Sequence, residues 1–175
     1  MPKFVCRLRA GVLVALALGC AALPVAAQRT AFFEESSAPE WKEAEFRLPA
    51  YPSDADLIPL DLRSPTRAQF FVDARSLSLA EDGVVRYSLV VRGAGGAENV
   101  SFEGIRCATA ERKLYALGRG GEWVPSRNDS WQLIADNALN RQHAVLAKEY
   151  FCPPGSVRPS QAEILDLLRK DAGVR

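Results

Sequence analysis

Val84-Val-Arg-Tyr-Ser-Leu-Val-Val-Arg92, then Gly93-Ala-Gly-Gly96, then Asn99-Val-Ser-Phe-Glu-Gly-Ile-Arg-Cys107 is the stretch that decides the fold. Val85, Tyr87, Leu89 and Val91 alternate with Arg86, Ser88 and Arg92, the period of a half-buried strand. The glycines supply a loop, because glycine reaches positive φ without a Cβ clash. The two runs are therefore expected to pair as the central antiparallel hairpin. In the second run Val100 and Phe102 share one face while Ile105 and Cys107 fall on the other. Gly104 sits at that slip, so a bulge is expected there.

Working outward, Asp82-Gly83 is a hairpin signal that joins Leu77–Ala80 to the first central strand. Phe70–Asp73 and Leu57–Leu62 read as further strands, the latter limited by Pro59. Phe46–Pro52 holds two prolines and reads as an extended edge strand or strap. Downstream, Arg112–Arg119 is a strand closed by glycines, and Trp123-Val124 and Trp131–Ile134 are weaker strands. The period then changes. Leu139, His143, Leu146 and Tyr150 recur at helical spacing within Ala138–Phe151, with Arg141 and Lys148 opposite. Asp136, Asn137 or Asn140 is expected to cap this helix, and Pro153 to end it. Ser160-x-x-Glu163 is a capping box ahead of Ile164, Leu165, Leu167 and Leu168, which predicts a short terminal helix. Strands first and helices last define an α+β domain. Five or six antiparallel strands are expected, covered on one face by the helix bearing His143.

The N-terminus is read differently. Lys3, Arg7 and Arg9 precede an apolar run, Val12–Ala22, and Val25-Ala-Ala27 supplies small residues at a cleavage site. Residues 1–27 are therefore expected to be a secretory signal, and the apolar run is short of the roughly 20 residues of a membrane span. Leu18-Gly19-Cys20 partly matches a lipoprotein cleavage box, so lipid anchoring through Cys20 is the alternative. Residues 28–45 are polar and acidic and read as a mobile segment, with Trp41 able to dock on the domain. Residues 46–172 form the single α+β domain.

Loss of 1–27 removes three of 22 basic residues and none of 21 acidic ones, leaving a net charge of −2. That near-neutral surface carries no footprint for nucleic acid or an anionic membrane. Cys107 and Cys152 remain, and an even pair in an exported chain reads as one disulfide. It closes a loop of about 44 residues and ties the central hairpin to the end of the helix.

Three stretches carry a family resemblance: Glu81–Arg92, Asn99–Cys107, and the helix opening Leu139-Asn-Arg-Gln-His143 and closing Tyr150-Phe-Cys152. They resemble the cryptic neisserial protein-like family, exported betaproteobacterial proteins of uncharacterised activity. The resemblance spans roughly Trp41 to Cys152. It implies an exported, single-domain protein and supplies no catalytic residues.

His143 is the only histidine and the natural general base at neutral pH. Its place between Leu139 and Leu146 favours a core role. There is no Gly-x-Ser-x-Gly elbow around Ser101 or Ser130. One histidine with two oxidised cysteines makes no zinc or copper set, and no cofactor is expected. Glu103 and Arg106 flank the expected bulge, and the expected outcome there is a solvated strand face, or an ion pair of Glu103 with Arg141. Arg141 is also suited to clasp a carboxylate. Glu103, Arg106, Arg141 and His143 are thus the candidate binding residues. The leading expectation is a non-enzymatic periplasmic module binding an envelope protein or ligand. The alternative is a small periplasmic hydrolase using His143 with Glu103 or Asp136, which requires His143 in an open cleft.

Overall fold

A computed structural model of the chain describes residues 40–153 and 159–173. The expected signal, and residues 28–39 of the expected mobile segment, lie outside the described residues. Eight strands form one antiparallel sheet: β1 (Leu57–Leu60), β2 (Gln69–Asp73), β3 (Ser78–Leu79), β4 (Val84–Arg92), β5 (Glu98–Arg106), β6 (Glu111–Arg119), β7 (Glu122–Pro125) and β8 (Gln132–Leu133). The order is β1-β2-β4-β5-β6-β7. The short β3 shares one edge of β4 with β2, and β8 shares one edge of β6 with β7. The sheet is thus wider than the five or six strands expected, because these short strands complete edges that longer neighbours leave unpaired.

The central hairpin is continuous from Val84↔Arg106 to Arg92↔Glu98. Gly83, at φ 83°, closes the β3–β4 turn in the left-handed region that its Asp-Gly signal predicts. The half-buried reading of β4 is corrected. Every residue from Val84 to Val90 is buried, Arg86 and Ser88 included. Both faces of the sheet are covered, so polar residues on the second face are enclosed as well.

The expected bulge is also displaced. Phe102 pairs with Ala116 and Glu103 with Leu114, which makes Tyr115 of β6 the extra residue rather than any residue of β5. The slip read at Gly104 arises because β5 buries apolar residues on alternate faces. Gly104 is needed for another reason: a Cβ there would come within 2.8 Å of both the Tyr115 ring and Val84 Cγ1.

One face carries the main core. Val85, Tyr87, Leu89 and Ile105 pack with Leu146, Tyr150, Phe151, Ile164 and Leu168. Each fully buried large side chain here is worth roughly 1.5–3 kcal/mol over exposure. The covering elements are α1 (Arg141–Val145), a π-helical turn (Leu146–Phe151) and α2 (Gln161–Asp171). The helix starts later than its periodicity predicts. Asn137 Oδ1 accepts from the amides of Leu139 and Asn140, both at 3.1 Å, and holds a turn. Leu139 is consequently 86% exposed and drops out of the stripe. At the other end the Cys152 amide donates to Ala147 O, an i→i−5 bond. The wide turn buries Tyr150 and Phe151 together. The capping box of α2 forms as its sequence predicts: Ser160 Oγ accepts from the Glu163 amide, and Glu163 accepts from the Ser160 amide.

The opposite face is covered by an extended strap, residues 41–51. The Phe46 ring lies 4.3 Å from that of Tyr115, Tyr51 lies 5.1 Å from Trp123, and Trp123 Nε1 donates to Pro49 O at 2.9 Å. Phe46–Pro52 is therefore a strap rather than an edge strand, and the tryptophans are packing residues. Trp41 meets Trp131 edge-on at 5.9 Å.

Cys107 follows β5, Cys152 follows the π turn, and they form a disulfide with Cα atoms 5.4 Å apart. This is the tie expected from the sequence. Its loop spans 45 positions, so the Cys107→Ala/Cys152→Ala protein is expected to lose roughly 2–4 kcal/mol of unfolding free energy. Urea titrations of both proteins check this, and superimposable curves would show that the bond constrains nothing.

Candidate functional site

The four residues singled out in the sequence do not converge on one place. β5 sends Glu103 and Ile105 to the helical face, and Arg106 to the strap face. Arg106 lies over the Trp41 ring at 3.8 Å and 3.9 Å from Glu111. Glu103 makes no ion pair with Arg141. Residues 141 and 143 point apart on one helical turn, so His143 enters the core and Arg141 turns outward. Arg141 Nη1 instead donates to Asp136 Oδ1 at 3.0 Å, and its Nε to Leu62 O at 3.4 Å.

Glu103 and His143 do come together. The Glu103 carboxylate accepts from three donors: His143 Nε2 at 2.6 Å, Tyr87 OH at 3.1 Å and Ser101 Oγ at 2.7 Å. Burial pushes this carboxyl up, but the imidazole and the Ser101 hydroxyl outweigh it and hold it below the usual glutamate range. Burial, with the carboxylate beside it, pushes the Tyr87 phenol well up. An ionised carboxylate only accepts, so His143 donates to it from Nε2.

That arrangement meets the distance condition for a histidine–carboxylate pair and fails the accessibility condition. His143 is 4% exposed. The order of groups also differs from a nucleophilic triad, where the imidazole stands between hydroxyl and carboxylate. Here Glu103 stands between Ser101 and His143, so the imidazole faces the acid and not the serine. Asp136, the other partner considered, is held by Arg141 and by Lys148 Nζ at 2.7 Å. Lys148 and Arg141 keep its carboxyl below the usual range.

A second buried network lies under the strap, and sequence reading missed it. Arg86 Nη2 meets Asp82 Oδ2 at 2.7 Å and also reaches Glu43 and the Ala44 carbonyl. Asp82 accepts from the Val84 and Ala44 amides, and its backbone carbonyl accepts from Trp41 Nε1. Glu43 accepts from Lys113 Nζ at 2.9 Å and Tyr115 OH at 2.6 Å. Burial raises both carboxyls, but their cationic and hydrogen-bond partners bring each below its ordinary value. The available signal was Arg86 inside an apolar strand, four residues after Asp82.

An open cleft of 410 Å³ lies where the β1–β2 loop meets the turn before α1. Leu62, Ser64, Thr66, Phe70, Asn137 and Arg141 are among its walls. Among the described residues, no group of three or more His, Cys, Asp or Glu is placed to hold a metal, and no helix is long and apolar enough to cross a membrane.

These features define a disulfide-tied α+β domain: one antiparallel sheet, helices on one face, a strap on the other, and a buried charge network under each. The chain belongs to the CNP1-like family, whose model matches residues 36–169. It is 30% identical over 158 residues to Cryptic neisserial protein 1 of Neisseria gonorrhoeae, covering 80% of this chain and 77% of that protein. No solved structure matches it.

Proposed function

We propose that this is an exported, periplasmic, non-enzymatic binding module of the cell envelope. The observation that carries the reading is the enclosure of His143. The one imidazole in the chain is spent on Glu103 inside the core, where it braces α1 against the sheet and meets no solute. The open cleft holding Arg141 offers polar and apolar groups suited to holding a ligand rather than transforming it. The Cys107–Cys152 bond supports an oxidising compartment.

Fractionation of native cells, mass spectrometry of the mature chain, and a photo-crosslinking residue at Ser64 test it together. The expected result is periplasmic protein beginning at Gln28, or lipid-modified at Cys20, and a discrete envelope adduct. Cytoplasmic protein with free thiols, or no adduct from Ser64 or any other exposed position, overturns the reading.

A further inference from the structure

We propose that the cleft between the β1–β2 loop and α1 binds the C-terminus of a polypeptide ending in an apolar residue, with Arg141 as the carboxylate anchor. The proposal rests on the binding-module reading and names the ligand class. The volume, 410 Å³, lies within the range of small-ligand clefts. Leu62, Pro65, Phe70 and Ala138 supply apolar wall, and Leu139, 86% exposed, follows Ala138 in the chain.

Arg141 is placed to receive an anion. Its side chain is 39% exposed. Asp136 and Leu62 O engage Nη1 and Nε, and among the described residues Nη2 makes no hydrogen bond. Asp136 does not cancel the guanidinium, because Lys148 binds its other oxygen. The three groups together carry one positive charge. The Nη2 N–H groups can donate charge-assisted hydrogen bonds to a carboxylate.

The rest of the cleft selects the source of that carboxylate. Ser64, Thr66, Asn137 and Asp136, the last held by Arg141 and Lys148, line it along with the apolar groups. An alkyl acid would set its chain against hydroxyls and an amide that it cannot satisfy, at a cost in desolvation. A peptide terminus brings backbone N–H and C=O groups to those partners. Its last side chain takes the Phe70 and Leu62 wall. Positive charge, polar wall and apolar wall are thus each matched by one part of a single ligand.

The test is a titration of the isotope-labelled mature protein, followed by amide chemical shifts, with acetyl-alanyl-alanyl-leucine as probe. The same peptide as its C-terminal amide, and octanoate, are the controls. The free-acid peptide is expected to shift amides in the β1–β2 loop and around Asn137–Arg141. Amidation is expected to weaken binding about tenfold or more, the loss of one charge-assisted contact. Arg141→Gln is expected to weaken the acid equally and to abolish the preference of acid over amide. Arg141→Lys retains the charge, and is expected to recover part of that preference. Thermal unfolding matched to wild type shows that the variants are folded.

Equal binding of acid and amide, shifts centred elsewhere, or no binding at millimolar peptide overturns the proposal. Octanoate binding as tightly as the peptide also overturns it, in favour of a free-acid site. An envelope adduct that forms from other exposed positions while the peptide fails would leave the binding-module reading standing and remove this site alone.

Discussion

Replacing Arg86 with methionine is expected to lower the unfolding free energy by roughly 3–5 kcal/mol, the usual cost of stranding one partner of a buried ion pair. Arg86 is 2% exposed, and the Asp82 carboxylate beneath the strap is as deeply enclosed. Methionine fills much of the same volume, so the loss is electrostatic rather than a cavity. Asp82 would keep the Val84 and Ala44 amides and lose the Arg86 guanidinium. The strap would lose the bonds from Arg86 to Glu43 and to the Ala44 carbonyl. Its guanidinium also lies 5.3 Å from the Phe46 ring and 5.5 Å from that of Tyr115, so its removal loosens the strap's aromatic contacts too. Hydrogen exchange at the Ala44 amide, which donates to Asp82 at 2.8 Å, should accelerate in parallel. Asp82→Asn in the Arg86→Met background neutralises the stranded charge and keeps an acceptor, so the double variant should be more stable than Arg86→Met alone. A single-variant cost below about 1 kcal/mol, in the range of an exposed ion pair, or a double variant no better than the single, would show that Arg86 serves only as packing.

The parts of the fold legible in the sequence are those whose causes are local. The Asp82-Gly83 turn, the β4–β5 hairpin and the Ser160–Glu163 capping box each need only neighbouring residues. The disulfide was legible because two cysteines, Cys107 and Cys152, lie beyond the expected signal and admit one pairing. What escaped reading depends on distant groups. Trp41 and Glu43 bind residues 41 and 72 positions away, at Asp82 and Tyr115. Without that contact the strap has no reason to dock, and the alternation of β4 reads as one buried face instead of two. The apparent slip at Gly104 has the same origin, since a hydrophobic period cannot distinguish one covered face from two. Leu139 has the right spacing for the helical stripe, yet a hydrogen-bonded turn at Asn137 unwinds the segment before it. Across 40 positions the sequence offers Glu103 and Asp136 alike as partners of His143, and only the folded chain selects Glu103. The ion pair with Arg141 ignored the turn of the helix, which sends residues 141 and 143 to different sides.

Removal of the Glu103 carboxylate should be the other severe change. Glu103→Ala would strand Nε2–H of His143 and the hydroxyls of Tyr87 and Ser101, which all converge on that one group. A loss of roughly 3–5 kcal/mol is expected, because two of those donors lie within the core. Glu103→Gln retains the shape and one acceptor, so it should cost less, and it reports the charge alone. The pH dependence then has a defined sign. The folded carboxyl lies below its usual value, so its ionised form adds stability that is present above the ordinary glutamate range. That stability is lost as pH falls through the folded value, in the window below about pH 4.5. Asp82 and Glu43 also sit low and weaken the fold in acid, but they are common to wild type and Glu103→Gln. Their contribution cancels in the difference between the two proteins. Urea unfolding of both, from neutral pH into acid, should show a gap that is widest near neutrality and closes below the carboxylate range. A gap of constant size would mean that the carboxylate acts through shape alone, and that the bond between β5 and α1 owes nothing to its charge.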